Sequence, residues 1–253
     1  DIGSEGCRGS LSGQAEIDEL TSADDQGSWL TRRGAVLDWN QRALLSGRVE
    51  IAQLTAEELI VPRIPTIEGG ADAPEAEATP FRLPNLPVSI VIGELGIGRV
   101  DLGAPVIGEP VILNLDGTVE LTGGAGTAQM ALRRVDDQQG AFTIEGSFDN
   151  GSNVLSLDVA LAEGAGGIAA RLAGLPGNPS VRATIQGEGP LDAFTADIAL
   201  ATDGVERLGG RVTLGPASFD ARLGGDVTSL FLPEYRDFFG PDVALTALGA
   251  RND

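Results

Sequence analysis

From residue 113 to residue 227 the chain repeats one pattern: apolar and polar residues alternate for a strand's length, a turn of Gly, Pro, Asn or Asp follows, and another strand begins. Leu113, Leu115, Gly117, Val119 and Leu121 alternate with Asn114, Asp116, Thr118, Glu120 and Thr122, which makes one oily face and one wet face. The phase recurs at Phe142, Ile144, Gly146 and Phe148, at Leu155, Leu157, Val159 and Leu161, and at Val181, Ala183 and Ile185. It continues at Phe194, Ala196, Ile198 and Leu200, at Leu208, Gly210, Val212 and Leu214, and at Phe219, Ala221, Leu223, Gly225 and Val227. A chain written this way folds as antiparallel β-sheet.

Shorter strands are expected upstream, at 11–17, 35–39, 49–54 and 59–61, with a turn or short helix at 40–46. Residues 66–84 mix Glu68, Asp72, Glu75 and Glu77 with Gly, Ala and Pro, a composition expected to form a solvated linker. The organisation expected is an N-terminal β unit at 1–65, the linker at 66–84, and a repeated β region at 85–253. Strand character resumes at 88–100 and 110–121. Asp116 and Gly117 fit either a turn or the middle of one long strand. Asp149, Asn150, Gly151 and Ser152 are the strongest hairpin signal, since Asn and Gly accept the positive φ of a type I′ turn. In the second half the one helical signal is at 233–239, between Pro233 and the Gly240-Pro241 stop, where Phe231, Tyr235, Phe238 and Phe239 cluster.

Missing residue types exclude much chemistry. With no His in the chain, Ser-His-Asp and Cys-His nucleophiles and His-ligated zinc are ruled out. All 17 basic residues are Arg, so lysine nucleophiles and Walker-type phosphate loops are ruled out as well. Cys7 stands alone, so neither an internal disulfide nor a thiolate cluster can form, and no role is assigned to it. The 37 acidic residues mostly fall on the polar phase of strands, where solvation accounts for them better than paired-carboxylate catalysis does. Gly164, Gly166 and Ala169 imitate a dinucleotide fingerprint, with Glu188 near the ribose-binding offset. Ile168, Ala170 and Leu172 then continue in strand phase, however, leaving no room for a crossover helix. Gly123, Gly124 and Gly126 open like a calcium β-roll but lack the liganding Asp. No catalytic residue, metal ligand or cofactor is therefore assigned.

A formal charge of -20 repels nucleic acid and anionic membrane surfaces. The chain starts at Asp1, shows no signal-like segment and no apolar run of membrane-spanning length, and is expected to be a piece of something longer. An antiparallel sheet with one apolar face must close into a barrel, pack on a second sheet, or take a ligand. Small residues in the apolar phase would permit strong curvature, yet the pattern alone favours a sandwich over a trough.

Several segments resemble the TamB family, the inner-membrane component of the translocation and assembly module within the AsmA-like group. They are Arg8-Gly9-Ser10-Leu11-Ser12-Gly13, Gly27-Ser28-Trp29-Leu30, Val36-Leu37-Asp38-Trp39, Leu44-Leu45-Ser46-Gly47-Arg48-Val49 and Leu59-Ile60-Val61-Pro62-Arg63. Leu86-Pro87-Val88 through Gly103, Gly187-Glu188-Gly189-Pro190-Leu191-Asp192 and the stretch from Pro233 to Pro241 resemble alphaproteobacterial members. The resemblance implies an elongated up-and-down sheet curled into an open groove, or β-taco, with one or two very short helices. It also implies a periplasmic segment anchored to the inner membrane by a missing N-terminal part, and meeting an outer-membrane barrel through a missing C-terminal part. The family is implicated in phospholipid transport between the membranes and in outer-membrane protein assembly, and brings no catalytic residues.

On that basis acyl chains are expected to lie against Leu115, Val119, Ile144, Leu157, Val159, Ile185, Ile198, Val212 and Leu223. A scaffold that recruits unfolded outer-membrane strands by β-augmentation is the alternative expectation. A closed β-rich adhesin or stalk is the third.

Overall fold

The computed structural model describes residues 2–9, 13–65, 83, 88–215, 218–231 and 242–250. It is all-β, and it divides into two compact units, Asp1–Gly126 and Thr127–Asp253. The division falls elsewhere than at the expected linker, because strands on either side of residues 66–84 pair with each other in the first unit.

In the first unit the strands are β1 (Ile2–Gly9), β2 (Gln14–Asp24), β3 (Gly27–Asn40), β4 (Arg48–Val61), β5 (Ser89–Leu102) and β6 (Val111–Thr122), side by side in chain order. All neighbours pair antiparallel except β4 and β5, which run parallel. A parallel pair cannot be joined by a hairpin and needs a crossover connection between its strands. The segments expected at 49–54 and 59–61 are a single strand. A 3-10 helix at Gln41–Ser46, capped by the Asn40 side chain and ended by Gly47 at φ 72°, turns β3 into β4. A short helix α1 (Ala104–Ile107) separates β5 from β6. Asp116 and Gly117 lie inside β6, and the turn comes instead at Gly123 and Gly124, both with positive φ.

After β7 (Ala125–Arg134), which begins at the division, the second unit holds β8 (Gly140–Asp149), β9 (Val154–Glu163), β10 (Val181–Pro190), β11 (Phe194–Thr202), β12 (Val205–Leu214), β13 (Ser218–Gly225) and β14 (Val243–Ala250). From β8 to β14 each strand pairs antiparallel with the next. Among the described residues the last strand of neither unit returns to pair with its first, so each sheet is open and not a barrel.

Three local expectations are corrected. Ile168–Leu172 is a short helix, α2, and not a strand: Ala169, Ala170, Arg171 and Leu172 are strong helix formers, and Ala170 is fully buried beneath them. The Asp149 hairpin forms, but Asn150 and Gly151 keep negative φ. The left-handed residue is Asn153 at φ 57°, in a four-residue loop where the Asp149 carboxylate accepts from Ser152 N at 2.6 Å. The last strand of the repeated phase ends at Gly225, so Val227 leaves the ladder and packs buried at a 3-10 turn, Thr228–Leu230. The helix expected at 233–239 lies outside the described residues, as does most of the linker expected at 66–84.

Bulges set which side chains share a face. In β5 the register against β6 slips between Ile92 and Leu95 and again between Ile97 and Val100. Each slip inserts one extra residue and resets the two-residue period, so Ile90, Ile92, Leu95, Ile97, Val100 and Leu102 all face the side taken by Leu121, Val119, Gly117, Leu115, Leu113 and Val111 of β6. In the second unit Gly210, at φ 155°, and Gly225, at φ 151°, let the backbone approach the next strand closely. A Cβ at either would collide with a neighbouring carbonyl, of Arg222 and Arg207 respectively.

Candidate apolar groove

Directly paired residues of neighbouring strands lie on the same face of a sheet, so the register turns sequence alternation into rows. One row in the second unit reads Ile144, Val159, Ile185, Ile198, Gly210, Leu223, Leu245 across seven strands. The adjacent row reads Gly146, Leu157, Gly187, Ala196, Val212, Ala221, Ala247. Beyond it lie Phe148 with Leu155 on β8 and β9, and Phe194, Leu214 and Phe219 on β11, β12 and β13. The middle row is mostly glycine and alanine. It forms a low floor between a ridge of Ile, Val and Leu and a ridge rich in Phe, with Leu157 and Val212 standing up from it.

The register therefore brings together seven of the nine residues expected to bind acyl chains: Ile144, Leu157, Val159, Ile185, Ile198, Val212 and Leu223. Leu115 and Val119 sit in the first unit, on the apolar face of β6, opposite Ile97 and Ile92. All nine are half-buried. The buried apolar residues among those described are five alanines (Ala35, Ala43, Ala56, Ala170 and Ala196), four valines (Val100, Val111, Val181 and Val227), Phe148 and Phe194, with no Leu or Ile. Among the described residues, substantial contacts between elements in each unit run between ladder neighbours, apart from the 41–46 helix against β4. A sealed core would bury its large aliphatic residues, as sandwich interiors do. Here the face instead grows more open toward the last strand, where Leu214, Phe219 and Leu245 are 39%, 44% and 52% exposed while Phe148 and Phe194 are 5% exposed.

The opposite face is wet and charged. Its central row in the second unit is Glu145, Asp158, Gln186, Asp197, Arg211, Arg222. Gln186 Nε2 donates to Asp158 at 2.9 Å, and Arg211 Nε donates to Asp197 at 2.7 Å. The Arg211 guanidinium holds the Asp197 carboxyl below the usual carboxylate range. In the first unit Arg33 bridges two carboxylates on its neighbours, with Nε 2.9 Å from Glu19 and Nη1 2.9 Å from Glu58.

Sequence reading did not single out the parts of the apolar face in the first unit that depend on bulges. One is a row Leu20, Arg32, Leu59, Val100, Leu113. Arg32 is thus a cation on the oily side, and its Nε is closed off from solvent without an acceptor. The register runs from Arg32 through Leu59 and Val100 to Leu113, and from Leu37 through Leu54 and Leu95 to Gly117; Leu113 and Gly117 share one face of β6, so the phase of β3 changes between Arg32 and Leu37, where Gly34 adopts φ 57°. Among the described residues no three of Cys, Asp and Glu come together in a geometry that would hold a metal, and no helix is long and apolar enough to cross a membrane. α2, which follows the glycines of the dinucleotide-like motif, joins β9 to a strand antiparallel to it, not the parallel strand of a βαβ unit.

No protein-family model, curated protein or solved structure matches the chain.

Proposed function

We propose that the chain is a non-enzymatic, TamB-like segment of the cell envelope whose apolar face carries phospholipid acyl chains through the periplasm, between inner and outer membrane. The observation that carries this reading is the seven-strand apolar row with its small-residue floor, left half-exposed. Seven strands at a spacing of about 4.8 Å make that row about 29 Å long, close to the two-leaflet hydrocarbon thickness of about 30 Å. One acyl chain therefore fits with room to slide. Each methylene taken from water contributes about 0.8 kcal/mol, so partial burial of one chain holds a lipid, and repeated similar positions let it move. Net direction requires an external drive. The partners of the longer protein in this reading are an inner-membrane anchor and an outer-membrane barrel.

Native mass spectrometry of the chain purified gently from cells, followed by lipid extraction, tests the reading. Phospholipid should co-purify with the wild type and be lost from Leu157→Arg, which places a charge on the floor row. A lipid-free wild type would overturn it.

A second reading has one observation in its favour. Among the described residues β14 pairs with β13 alone, and its sequence, VALTALGA, carries neither a charge nor a Pro. Such an edge can add a strand from an unfolded outer-membrane protein by β-augmentation. Loss of strand-peptide binding with lipid loading intact, on blocking β14, would favour this scaffold role.

A further inference from the structure

We propose that Arg32 is a headgroup anchor on the apolar face of the first unit, binding the phosphate of an amphiphile whose hydrocarbon lies along the neighbouring Leu20, Leu59 and Val100. The proposal rests on the conduit reading and adds a headgroup preference to it.

Two adjacent arginines carry the argument. Arg33 faces the polar side and is paired with Glu19 and Glu58, both at 2.9 Å. Arg32 faces the apolar side, between Leu20 of β2 and Leu59 of β4, and its buried Nε meets no acceptor. It is the one charged side chain in the apolar rows that join β2 to β6 through Ala15, Ile17, Leu20, Leu37, Leu54 and Leu59 and their partners. The chain holds 37 acidic residues against 17 arginines, yet none of the described carboxylates pairs with this guanidinium. A donor shut away from water without a partner is costly to keep, and an aliphatic side chain would remove that cost.

The chemistry of the missing partner follows from the surroundings. Guanidinium presents a planar fork of N–H donors that matches two oxygens of a phosphate. A free hydrated anion would have to shed its water against two leucines, and it is repelled by a protein of charge -20. A phosphate carried on a hydrocarbon tail offsets both effects, because the tail buries itself on the row that flanks the cation.

The test compares two fluorescent lipids with identical acyl chains, a phosphatidylglycerol and a diacylglycerol, titrated against the delipidated full chain. The wild type should show a class of sites that prefers phosphatidylglycerol by about tenfold, the size expected of one charge-assisted contact. Arg32→Met should remove that class and leave diacylglycerol binding unchanged, and Arg32→Lys should retain part of the preference. Circular dichroism checks that the variants are folded. Equal binding of both lipids by wild type and Arg32→Met would overturn the anchor and leave the conduit standing. Binding of neither lipid by the wild type would overturn the conduit and the anchor with it. Competition by inorganic phosphate alone at the Arg32-dependent sites, with no preference between the two lipids, would reassign the residue to a free-anion site and overturn the headgroup role.

Discussion

Leu157 of β9 stands directly opposite Gly187 of β10, and on its other side opposite Gly146 of β8. One large side chain thus occupies a row position whose two flanking positions have none, but the two glycines are not equivalent. A Cβ on Gly187 would meet Thr195 O at 2.6 Å, Phe194 Cζ at 2.7 Å and the Ala196 Cβ at 2.9 Å. On Gly146 the nearest atoms are Ser156 O at 3.6 Å and Leu157 Cδ1 at 3.8 Å, which is ordinary contact. Gly187→Ala should therefore destabilise by about 1–3 kcal/mol through overpacking. Gly146→Ala should stabilise by about 0.4–1 kcal/mol by narrowing the unfolded ensemble. Thermal unfolding of the two variants in one buffer checks the sign of each.

Position 157 also separates folding from transport. Leu157 and Ile185 are half-buried on an open face, so a polar substitution there keeps a route to water. Leu157→Arg and Ile185→Asp should leave the circular dichroism spectrum of the wild type unchanged while abolishing lipid loading. Unchanged loading in a folded Leu157→Arg would remove the floor row from the pathway.

Acid should weaken the fold through a small set of aspartates. Backbone hydrogen bonding from Ser152 holds the Asp149 carboxyl below the usual range. The Thr228 hydroxyl and N–H do the same for Asp226, and Arg211 does so for Asp197. A depressed folded pKa contributes stability that is present above the unfolded value, about 3.9, and is lost as pH falls through the folded one. With no His in the chain, the melting temperature should be flat between about pH 6 and pH 8 and should fall below about pH 4. Asp149→Asn should show a smaller acid loss than the wild type.

Legibility followed the strength of the apolar signal. β8 to β13 were readable because Ile, Leu, Val and Phe mark one phase of each strand. β7 was not, since its sequence AGTAQMALRR places Gly and Ala where a strand would show large side chains, and β14 repeats the difficulty with VALTALGA. The parallel pairing of β4 with β5 is a long-range choice that no local pattern records, and its only trace is a connection too long for a hairpin. The bulges of β5 break the alternation at Gly93-Glu94 and Gly98-Arg99, which hides that six apolar residues share one face. Arg32 was hidden for a related reason: plain alternation puts it opposite Ala35 and Leu37, and the phase change that brings them to one face shows only in the strand pairing.

β14, the last described strand, gives a separate prediction for this chain by itself. Leu248 is 72% exposed on the last described strand, beside backbone groups that β13 does not occupy. A long uncharged edge of this kind templates further pairing, and lysine is a natural guard against it. Leu248→Lys should reduce concentration-dependent association in sedimentation velocity and leave lipid loading intact. Unchanged association would place self-pairing elsewhere than at this edge.

Arg32 supplies the sharpest opposition between stability and function. Leaving a buried donor without a partner costs about 1–3 kcal/mol, and methionine keeps an unbranched, adaptable stem in the same place. Arg32→Met should therefore unfold at a higher urea concentration than the delipidated wild type, with an unchanged slope. Adding phosphatidylglycerol should narrow that gap, because ligand bound to the native state stabilises the wild type in proportion to its occupancy and does so less for the variant. A variant less stable than the lipid-free wild type would mean that Arg32 already has its partner within the fold.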